Sequence, residues 1–176
     1  MKRVFAACSL LFAFTFCAEA KPSRGGGPDA GAAEIITRFR AAHGLGPVRV
    51  DPVLTRAARH QAQAMAAAGV MSHDIAGGLS SRLRAVGYSP MAAAENVGAG
   101  HRSLQEAMAS WERSSGHRAN LLMSSATRIG IARVDAPGKP YGVYWALVLA
   151  GENGAQRTAA TSGSNAPFSF GFSFGR

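Results

Sequence analysis

Thiol groups are nearly absent from this sequence. Its two cysteines, Cys8 and Cys17, both lie within the first 20 residues. That segment has a basic start, an apolar run and the small residues of Ala18-Glu19-Ala20, a pattern typical of a secretory signal peptide that is cleaved from the mature protein. We therefore expect an exported chain without disulfides, in which the hydrophobic core alone must stabilise the fold.

Long apolar runs are also missing. The apolar stretch near the N-terminus, residues 4–16, is shorter than the roughly 20 residues that a transmembrane helix needs. We predict that residues 1–20 are removed and that residues 21–176 form a secreted or periplasmic protein without a transmembrane segment. About 156 residues are enough for one domain of ordinary size.

Acidic residues are scarce. The chain has 19 Lys and Arg residues against 10 Asp and Glu residues, which gives a formal charge of +9. Loss of Lys2, Arg3 and Glu19 with the signal peptide would lower this charge to +8. A basic exported protein is attracted to anionic envelope polymers and lipid head groups. Because we expect the arginines to be spread over a solvated surface, with no dense basic run or nucleic-acid-binding motif, we predict no specific nucleic-acid partner.

Helices are predicted in the first half of the chain. Asp29 is a capping residue for a first helix that Gly44 ends, and Asp51 followed by Pro52 begins a second helix that runs to about Ala68. A short helix is predicted near residues 80–85 and either a strand or an extended segment over residues 92–98.

A capping box over residues 103–106 begins a further helix, whose buried face includes Trp111, and Ser115 is predicted to cap a short helix after it. Residues 127–135 and 141–150 are predicted strands joined by a Pro-Gly turn, which indicates an antiparallel hairpin. Helices first and strands late, without βαβ alternation, predict an α+β fold with helices packed on a small antiparallel sheet.

The two ends of the mature chain differ in composition from the rest. Residues 152–176 are rich in Ser, Gly, Ala and Thr and hold too few apolar residues to fold alone, so we predict a disordered tail. Phe alternates with small residues in its "FSFGFSFG", and the alternative is a strand that pairs with a sheet edge or a partner. Residues 21–28 are predicted to be a flexible leader, which leaves residues 29–151 as the domain, expected to be monomeric.

Histidines are the main candidates for a functional site. His73 lies in a glycine-flanked loop, where functional groups are often exposed. His117 lies near the start of a short helix, whose positive end disfavours imidazolium and so favours the neutral ring that binds metals or accepts protons. Glu95 is an acid within an apolar stretch, which is costly to bury unless the carboxylate is paired. Gaps of 22 residues between these three match no local ligand spacing. The remaining histidines are expected at a helix end or on the surface: His43, His60 and His101.

Three stretches in this order resemble the CAP superfamily, which includes the cysteine-rich secretory proteins, venom antigen 5 and plant pathogenesis-related proteins. They are "GPVRVDPVLTRAARHQAQAMAAAGVMSHD", "AENVGAG" and "WERSSGHRANLL", and they precede an apolar strand that contains a tryptophan. The resemblance covers about residues 32–150 and is closest to the short, cysteine-free bacterial branch of secreted SCP-like domains. It implies an α-β-α sandwich with a surface cleft.

The resemblance also implies that His73, Glu95 and His117 converge in that cleft. In many relatives the cleft resembles a metal site in which the two histidines are ligands, and two neutral imidazoles suit Zn²⁺ or another divalent cation. His73 and His117 are therefore the predicted metal ligands. Eukaryotic members carry a second glutamate three residues after the helix tryptophan, where this sequence has Ser114, so a triad is the most that this chain offers.

Three functions stay open. The first is binding of a small ligand, lipid or envelope glycan in the cleft, with or without a divalent metal, at the cell envelope or outside the cell. The second is hydrolysis, in which Glu95 orients a histidine and a base or metal activates water. The third is a structural or interaction module in which the His/Glu cluster only joins loops. The sequence assigns no catalytic residue and favours binding over catalysis, because Ser114 stands where relatives hold a second acid.

Overall fold

The computed structural model describes residues 28–153. The predicted signal peptide, residues 21–27 of the predicted leader and residues 154–176 of the predicted tail lie outside the described residues. Within the described range, no helix is both long and apolar enough to cross a bilayer. The range contains five helices and four strands, in this order: α1 (Pro28–Ala41), β1 (Arg49–Val50), α2 (Pro52–Ala68), α3 (Leu79–Ala85), β2 (Ala93–Ala99), α4 (Leu104–Arg113), α5 (Ser115–Leu121), β3 (Arg128–Asp135) and β4 (Val143–Ala150).

The four strands form one sheet in the order β1-β3-β4-β2. The predicted hairpin is confirmed, since β3 and β4 are antiparallel, and β2 pairs antiparallel with β4 on the other side. The sequence analysis missed β1, which pairs parallel with β3 and places Arg49 opposite Arg128 and Val50 opposite Ile129. A strand of two residues is too short to show a period of two. The α+β prediction is confirmed, and the sheet is mixed because of this one parallel pair.

Helices cover both faces of the sheet. Every residue of β4 is buried, and successive side chains of a strand point to opposite faces. Trp145 and Leu147 pack with residues of α1, α4 and α5, whereas Tyr144 and Val148 pack with residues of α2 and α3. The protein is therefore an α-β-α sandwich with a hydrophobic cluster on each side of the sheet.

Helix α2 lies very close to β3. A Cβ atom at Gly130 would lie 2.0 Å from the carbonyl carbon of Leu54, so only glycine permits this approach. The predicted cap of α2 is confirmed, because Asp51 Oδ1 accepts hydrogen bonds from the backbone N–H groups of Val53 (2.8 Å) and Leu54 (3.3 Å). Gly69, with a φ of 71°, ends the helix. Both ends of α2 are thus fixed, and so is the start of the loop that carries His73.

Helices α4 and α5 are separated by one extended residue. The Ser103 cap is confirmed, since Ser103 Oγ accepts the N–H of Glu106 (3.2 Å), whereas Glu106 Oε2 accepts the N–H of Arg102 (2.8 Å), one residue before the N-cap. The prediction that Ser115 caps α5 is wrong. Ser114 has the extended backbone (φ −83°, ψ 122°) that both ends α4 and precedes α5, and Ser115 is already helical.

Arginines are not confined to the surface, contrary to the sequence-based expectation. Arg40, at the end of α1, is fully buried, and burial lowers the pKa of its guanidinium from the usual value. No carboxylate pairs with it in the described part of the chain. Its N–H groups instead donate to four backbone carbonyls: Gly46 (2.9 Å), Leu121 (2.8 Å), Met123 (3.0 Å) and Ala126 (3.0 Å). Arg40 thereby joins the end of α1 to the end of α5 and to the segment before β3.

Candidate ligand-binding site at the edge strand

Strand β2 is the outermost strand on its side of the sheet among residues 28–153, and its two faces carry different groups. Val97 packs in the hydrophobic cluster of α2 and α3, and Glu95, two residues earlier, shares that face. Asn96 and Gly98 share the opposite face, where Gly98 lies against Trp111 of α4. The strand therefore presents a carboxylate to α3 and an amide to α5.

Glu95 orients His73. Glu95 Oε1 lies 2.9 Å from His73 Nδ1, and because a carboxylate accepts, Nδ1 carries the proton. The acceptor nitrogen of the neutral ring is then Nε2. The Glu95 side chain is only 3% exposed, whereas that of His73 is 52% exposed. A buried carboxylate thus holds an accessible imidazole in one tautomer.

Arg82 holds Glu95 from the other side. Its Nη2 lies 2.8 Å from Glu95 Oε2 with both side chains buried, and the N–H is not aligned for a hydrogen bond, so the contact stabilises mainly through charge. Arg82 also donates from Nε to the carbonyl of Gly77 (2.9 Å) and from Nη2 to the carbonyl of His73 (3.3 Å). One side chain therefore fixes both the carboxylate and the backbone of the His73 loop.

The His73 loop is also anchored to α2. Gln61 of α2 is fully buried and donates from Nε2 to the carbonyl of Ser72. The Ser72 hydroxyl accepts the N–H of Asp74 (3.1 Å) and so stabilises the turn around His73. Sequence reasoning missed Gln61 and Arg82. The one signal for Arg82 was its position three residues after Leu79, on the apolar side of α3.

Two asparagines join α5 to β2 on the other face of the sheet. Asn96 is fully buried and donates to the carbonyl of His117 (3.1 Å). Asn120 Nδ2 lies within hydrogen-bond distance of Asn96 Oδ1 (2.9 Å) and of the carbonyl of Glu95 (3.0 Å). The position of His117 is therefore fixed relative to the same strand that positions His73.

The imidazole of His117 favours the neutral form. Burial lowers its pKa, and the charge of nearby His73 lowers that pKa further. The sequence analysis predicted a neutral His117 from the helix start, whereas burial is the larger cause in the structure. No hydrogen bond joins the His117 ring to His73 or Glu95 within the described residues.

The outer edge of β2 is closed by side chains. The backbone N–H and C=O groups of the even-numbered residues of β2 and its flanks bond to β4 and its flanks. For example, the N–H of Gly100 donates to the carbonyl of Val143 (2.9 Å). The carbonyls of the odd-numbered residues therefore point away from β4. Three consecutive outward carbonyls each accept a side-chain N–H: Glu95 from Asn120 (3.0 Å), Val97 from Trp111 Nε1 (3.0 Å) and Ala99 from His101 Nδ1 (2.8 Å).

These residues do not form a metal site with three protein ligands. Glu95 is only 3% exposed, with Oε1 bonded to His73 and Oε2 against the Arg82 guanidinium, so it is not accessible as a ligand. Within residues 28–153, no group of three or more His, Cys, Asp or Glu side chains is placed to hold a metal ion. Ser114, at the position where the resemblance to eukaryotic members implies a second glutamate, adds no acid. The arrangement is a pair of imidazoles in which Glu95 orients His73 from behind, the usual role of an outer carboxylate.

Comparisons with known proteins agree with this fold. The model of the cysteine-rich secretory protein family, CAP, matches residues 34–149. The uncharacterized protein YkwD of Bacillus subtilis is 30% identical over 105 residues, 58% of this chain and 41% of that protein. An extracellular protein of Bacillus anthracis that contains an SCP domain superposes with a TM-score of 0.63 at 24% identity, over 71% of this chain and 40% of that one. An outer surface protein of Borrelia burgdorferi superposes with a TM-score of 0.64 at 16% identity, over 72% of this chain and 93% of that one.

At these identities the solved structures show the fold alone. The chain spans about two fifths of the length of the Bacillus subtilis and Bacillus anthracis proteins. The family match covers more than half of this chain, and the matched range includes His73, Glu95 and His117. The chain therefore belongs to the cysteine-rich secretory protein family of the CAP superfamily.

Proposed function

We propose that this protein is an exported binding protein that recognises a hydroxyl-bearing ligand of the cell envelope, such as a glycan or a lipid head group, through His73 and His117. The observation that carries the proposal is the buried Arg82–Glu95 pair, which holds the exposed ring of His73 in one tautomer. Burying two opposite charges costs more than exposing them unless both are well paired. A free-energy cost of this kind, directly behind an exposed imidazole, is expected where the orientation of that imidazole matters for binding.

The chemistry of the two rings suits recognition of hydroxyl groups. His73 Nε2 is an acceptor for a ligand O–H group, and the half-buried His117 is neutral, so its ring offers one donor and one acceptor. Hydrogen bonds to such partly desolvated groups discriminate well between ligands, because a ligand without the matching group leaves them unpaired.

The burial and the contacts of Glu95 favour binding over hydrolysis. A general base must lie within hydrogen-bond reach of the proton that it takes. Glu95 is 3% exposed, and its oxygens contact His73 and Arg82. Its geometry therefore supports orientation of His73 rather than direct proton transfer to or from a substrate.

A divalent cation is the second candidate ligand. Two neutral imidazoles, one of them backed by a carboxylate, are ligands that Zn²⁺ accepts, and water would complete the coordination. With only two protein ligands, affinity would be modest compared with that of a structural zinc site. No step of the proposed recognition depends on the metal.

The purified full chain should bind insoluble peptidoglycan in a sedimentation assay. Binding should fall in the His73→Ala/His117→Ala variant and stay unchanged in His60→Ala, which removes an exposed histidine on α2. Equal binding by all three proteins would show that overall positive charge is responsible and would refute the role of the histidine pair. Circular dichroism must first show that the variants are folded.

Calorimetric titration of the same proteins with Zn²⁺ tests the second candidate. Saturable binding of Zn²⁺ that disappears only in His73→Ala/His117→Ala would support a metal ion bound by the two histidines. Equal heats of binding in His60→Ala and in the double variant would exclude that metal site. Turnover on a panel of peptides, esters and glycans that disappears with Glu95→Gln would overturn the binding role in favour of hydrolysis.

Export is part of the proposal. The segment with the pattern of a signal peptide, residues 1–20, and the extracellular relatives support it. Mass spectrometry of protein recovered from the medium or the periplasm should show an N-terminus at Lys21. An intact N-terminus in the cytosolic fraction would contradict export.

A further inference from the structure

A concave surface lies where β1 and β3 begin. Its volume is about 360 Å³. Neither His73 nor His117 lines it. The lining residues that matter for its chemistry are three arginines, two hydroxyl residues and one acid: Arg40, Arg49, Arg128, Ser124, Thr127 and Glu152.

Two of these arginines are held side by side by the parallel pairing that the sequence did not reveal. Arg49 and Arg128 are register partners on β1 and β3. Side chains of register partners on neighbouring strands point to the same face, with strands about 4.8 Å apart. Like charges at directly opposite positions of a sheet destabilise it unless a counter-charge lies between them.

The counter-charge present is smaller than the positive charge. Glu152 Oε1 lies 3.3 Å from Arg128 Nη2, and the Glu152 side chain is 47% exposed. Arg49 has no ion pair in the described part of the chain. Arg40 lies behind both, fully buried, with its charge directed at carbonyl groups rather than a carboxylate. Three arginines against one glutamate leave a surplus of two positive charges at this surface.

The neighbouring acid does not remove that surplus. Asp51, two residues after Arg49, is buried and its Oδ1 caps the start of α2. It is not among the residues that line the surface. The exposed Ser124 and Thr127 carry hydroxyl groups at the rim, which add hydrogen-bond donors beside the two guanidinium groups.

We propose that Arg49 and Arg128 form a binding site for a phosphate group, over the buried positive charge of Arg40. Guanidinium groups bind phosphate through paired N–H donors of fixed geometry, and hydroxyl groups complete such sites. The ligand class is a small phosphate ester, free or as the head group of an anionic lipid. This site is independent of the histidine pair and of the function proposed for it.

Calorimetric titration of the full chain with inorganic phosphate, at constant ionic strength set with chloride, tests the proposal. One phosphate should bind per chain, and the Arg49→Gln/Arg128→Gln variant should bind about a hundredfold more weakly or not at all, because each arginine loses at least one charge-assisted hydrogen bond worth roughly one order of magnitude. The matched control is Arg56→Gln/Arg59→Gln, which removes the same two charges from exposed positions on α2 outside the lining. Its affinity should stay within about twofold of the unmodified chain.

Absence of saturable binding, or an equal loss in Arg56→Gln/Arg59→Gln, would overturn the proposal and leave only diffuse attraction by a basic protein. Arg49 is exposed, whereas the Arg128 side chain is 24% exposed, and thermal unfolding should confirm that the Arg49→Gln/Arg128→Gln variant is folded. Arg40 is left unchanged because its hydrogen bonds hold the fold together.

Two further probes separate the sources of the phosphate. Phosphatidylglycerol vesicles that sediment the unmodified chain, but not the double variant, would identify a lipid head group. Binding of glycerol phosphate in solution without sedimentation by those vesicles would identify a free phosphate ester. Phosphatidylcholine vesicles are the control, and sedimentation of the double variant equal to that of the unmodified chain would count against the site.

Discussion

Replacement of Arg82 by methionine should lower the free energy of unfolding by about 3–5 kcal/mol. The Arg82 and Glu95 side chains are 2% and 3% exposed, so loss of the arginine leaves a carboxylate buried without its counter-charge. The variant also loses the two hydrogen bonds that Arg82 donates to the His73 loop, where the carbonyls of Gly77 and His73 accept them. Methionine fills a similar length of the site, which keeps the cavity contribution small.

The measurement is urea denaturation followed by circular dichroism, with thermal unfolding beside it. For a domain of this size, a loss of 3–5 kcal/mol corresponds to a fall in Tm of roughly 10–15 °C. The matched control is Arg84→Met on the same helix, since Arg84 is exposed and its loss should change stability by no more than about 0.5 kcal/mol.

A double variant gives a second, independent check. Glu95→Gln removes the charge that Arg82→Met leaves unpaired, so the combined variant should lose less stability than the sum of the two single variants. The view that a buried ion pair holds His73 would be refuted if the losses of unfolding free energy in the two single variants simply add. It would also be refuted if Arg82→Met destabilises the protein no more than Arg84→Met does.

Other features give sharp expectations. Gly130→Ala should cost about 3 kcal/mol or more in urea denaturation, because a Cβ 2.0 Å from α2 forces the helix away, whereas Gly116→Ala, with open space around it, should gain up to about 1 kcal/mol. Arg40→Met should cost at least about 4 kcal/mol or prevent folding, because four carbonyls lose their donor, and Arg40→Lys should not restore a normal Tm. NMR titration should give His117 a pKa below the usual value of about 6.5, and His73→Gln should raise that pKa without returning it to normal, since burial remains. The pKa of His117 is lower in the folded state than in the unfolded state, so the free energy of unfolding should be highest above about pH 6.5 and should decline as the pH falls through that value. A free energy of unfolding that does not change with pH in this range would contradict a neutral, buried His117.

Local signals in the sequence predicted local structure well. The Asp51 cap and the Ser103 cap depend on atoms within a few residues of each other, so their sequence patterns were sufficient. The apolar stripe of α4 placed Trp111 in the core for the same reason. The one-residue error at α5 arose because Ser114 and Ser115 have equal capping ability, and only the chain path decides between them.

Contacts between distant residues could not be predicted in this way. Arg40 and Arg82 look like surface arginines in the sequence, and burial follows only from carbonyls and a carboxylate contributed by other elements. Strand β1 exists because β3 lies beside it. The proximity of His73 to Glu95 followed from the family resemblance, not from their spacing in the sequence.

The side chains that close the edge of β2 also bear on self-association. A free strand edge invites another chain to add a strand, and three outward carbonyls of β2 are already bonded to Asn120, Trp111 and His101. Loss of the Asn120 amide would expose the carbonyl of Glu95 and create a template for intermolecular β-pairing. A substitution made there to alter the histidine pair would then precipitate the protein for a reason unrelated to its ligand. The same asparagine therefore covers the strand edge and helps to position His117.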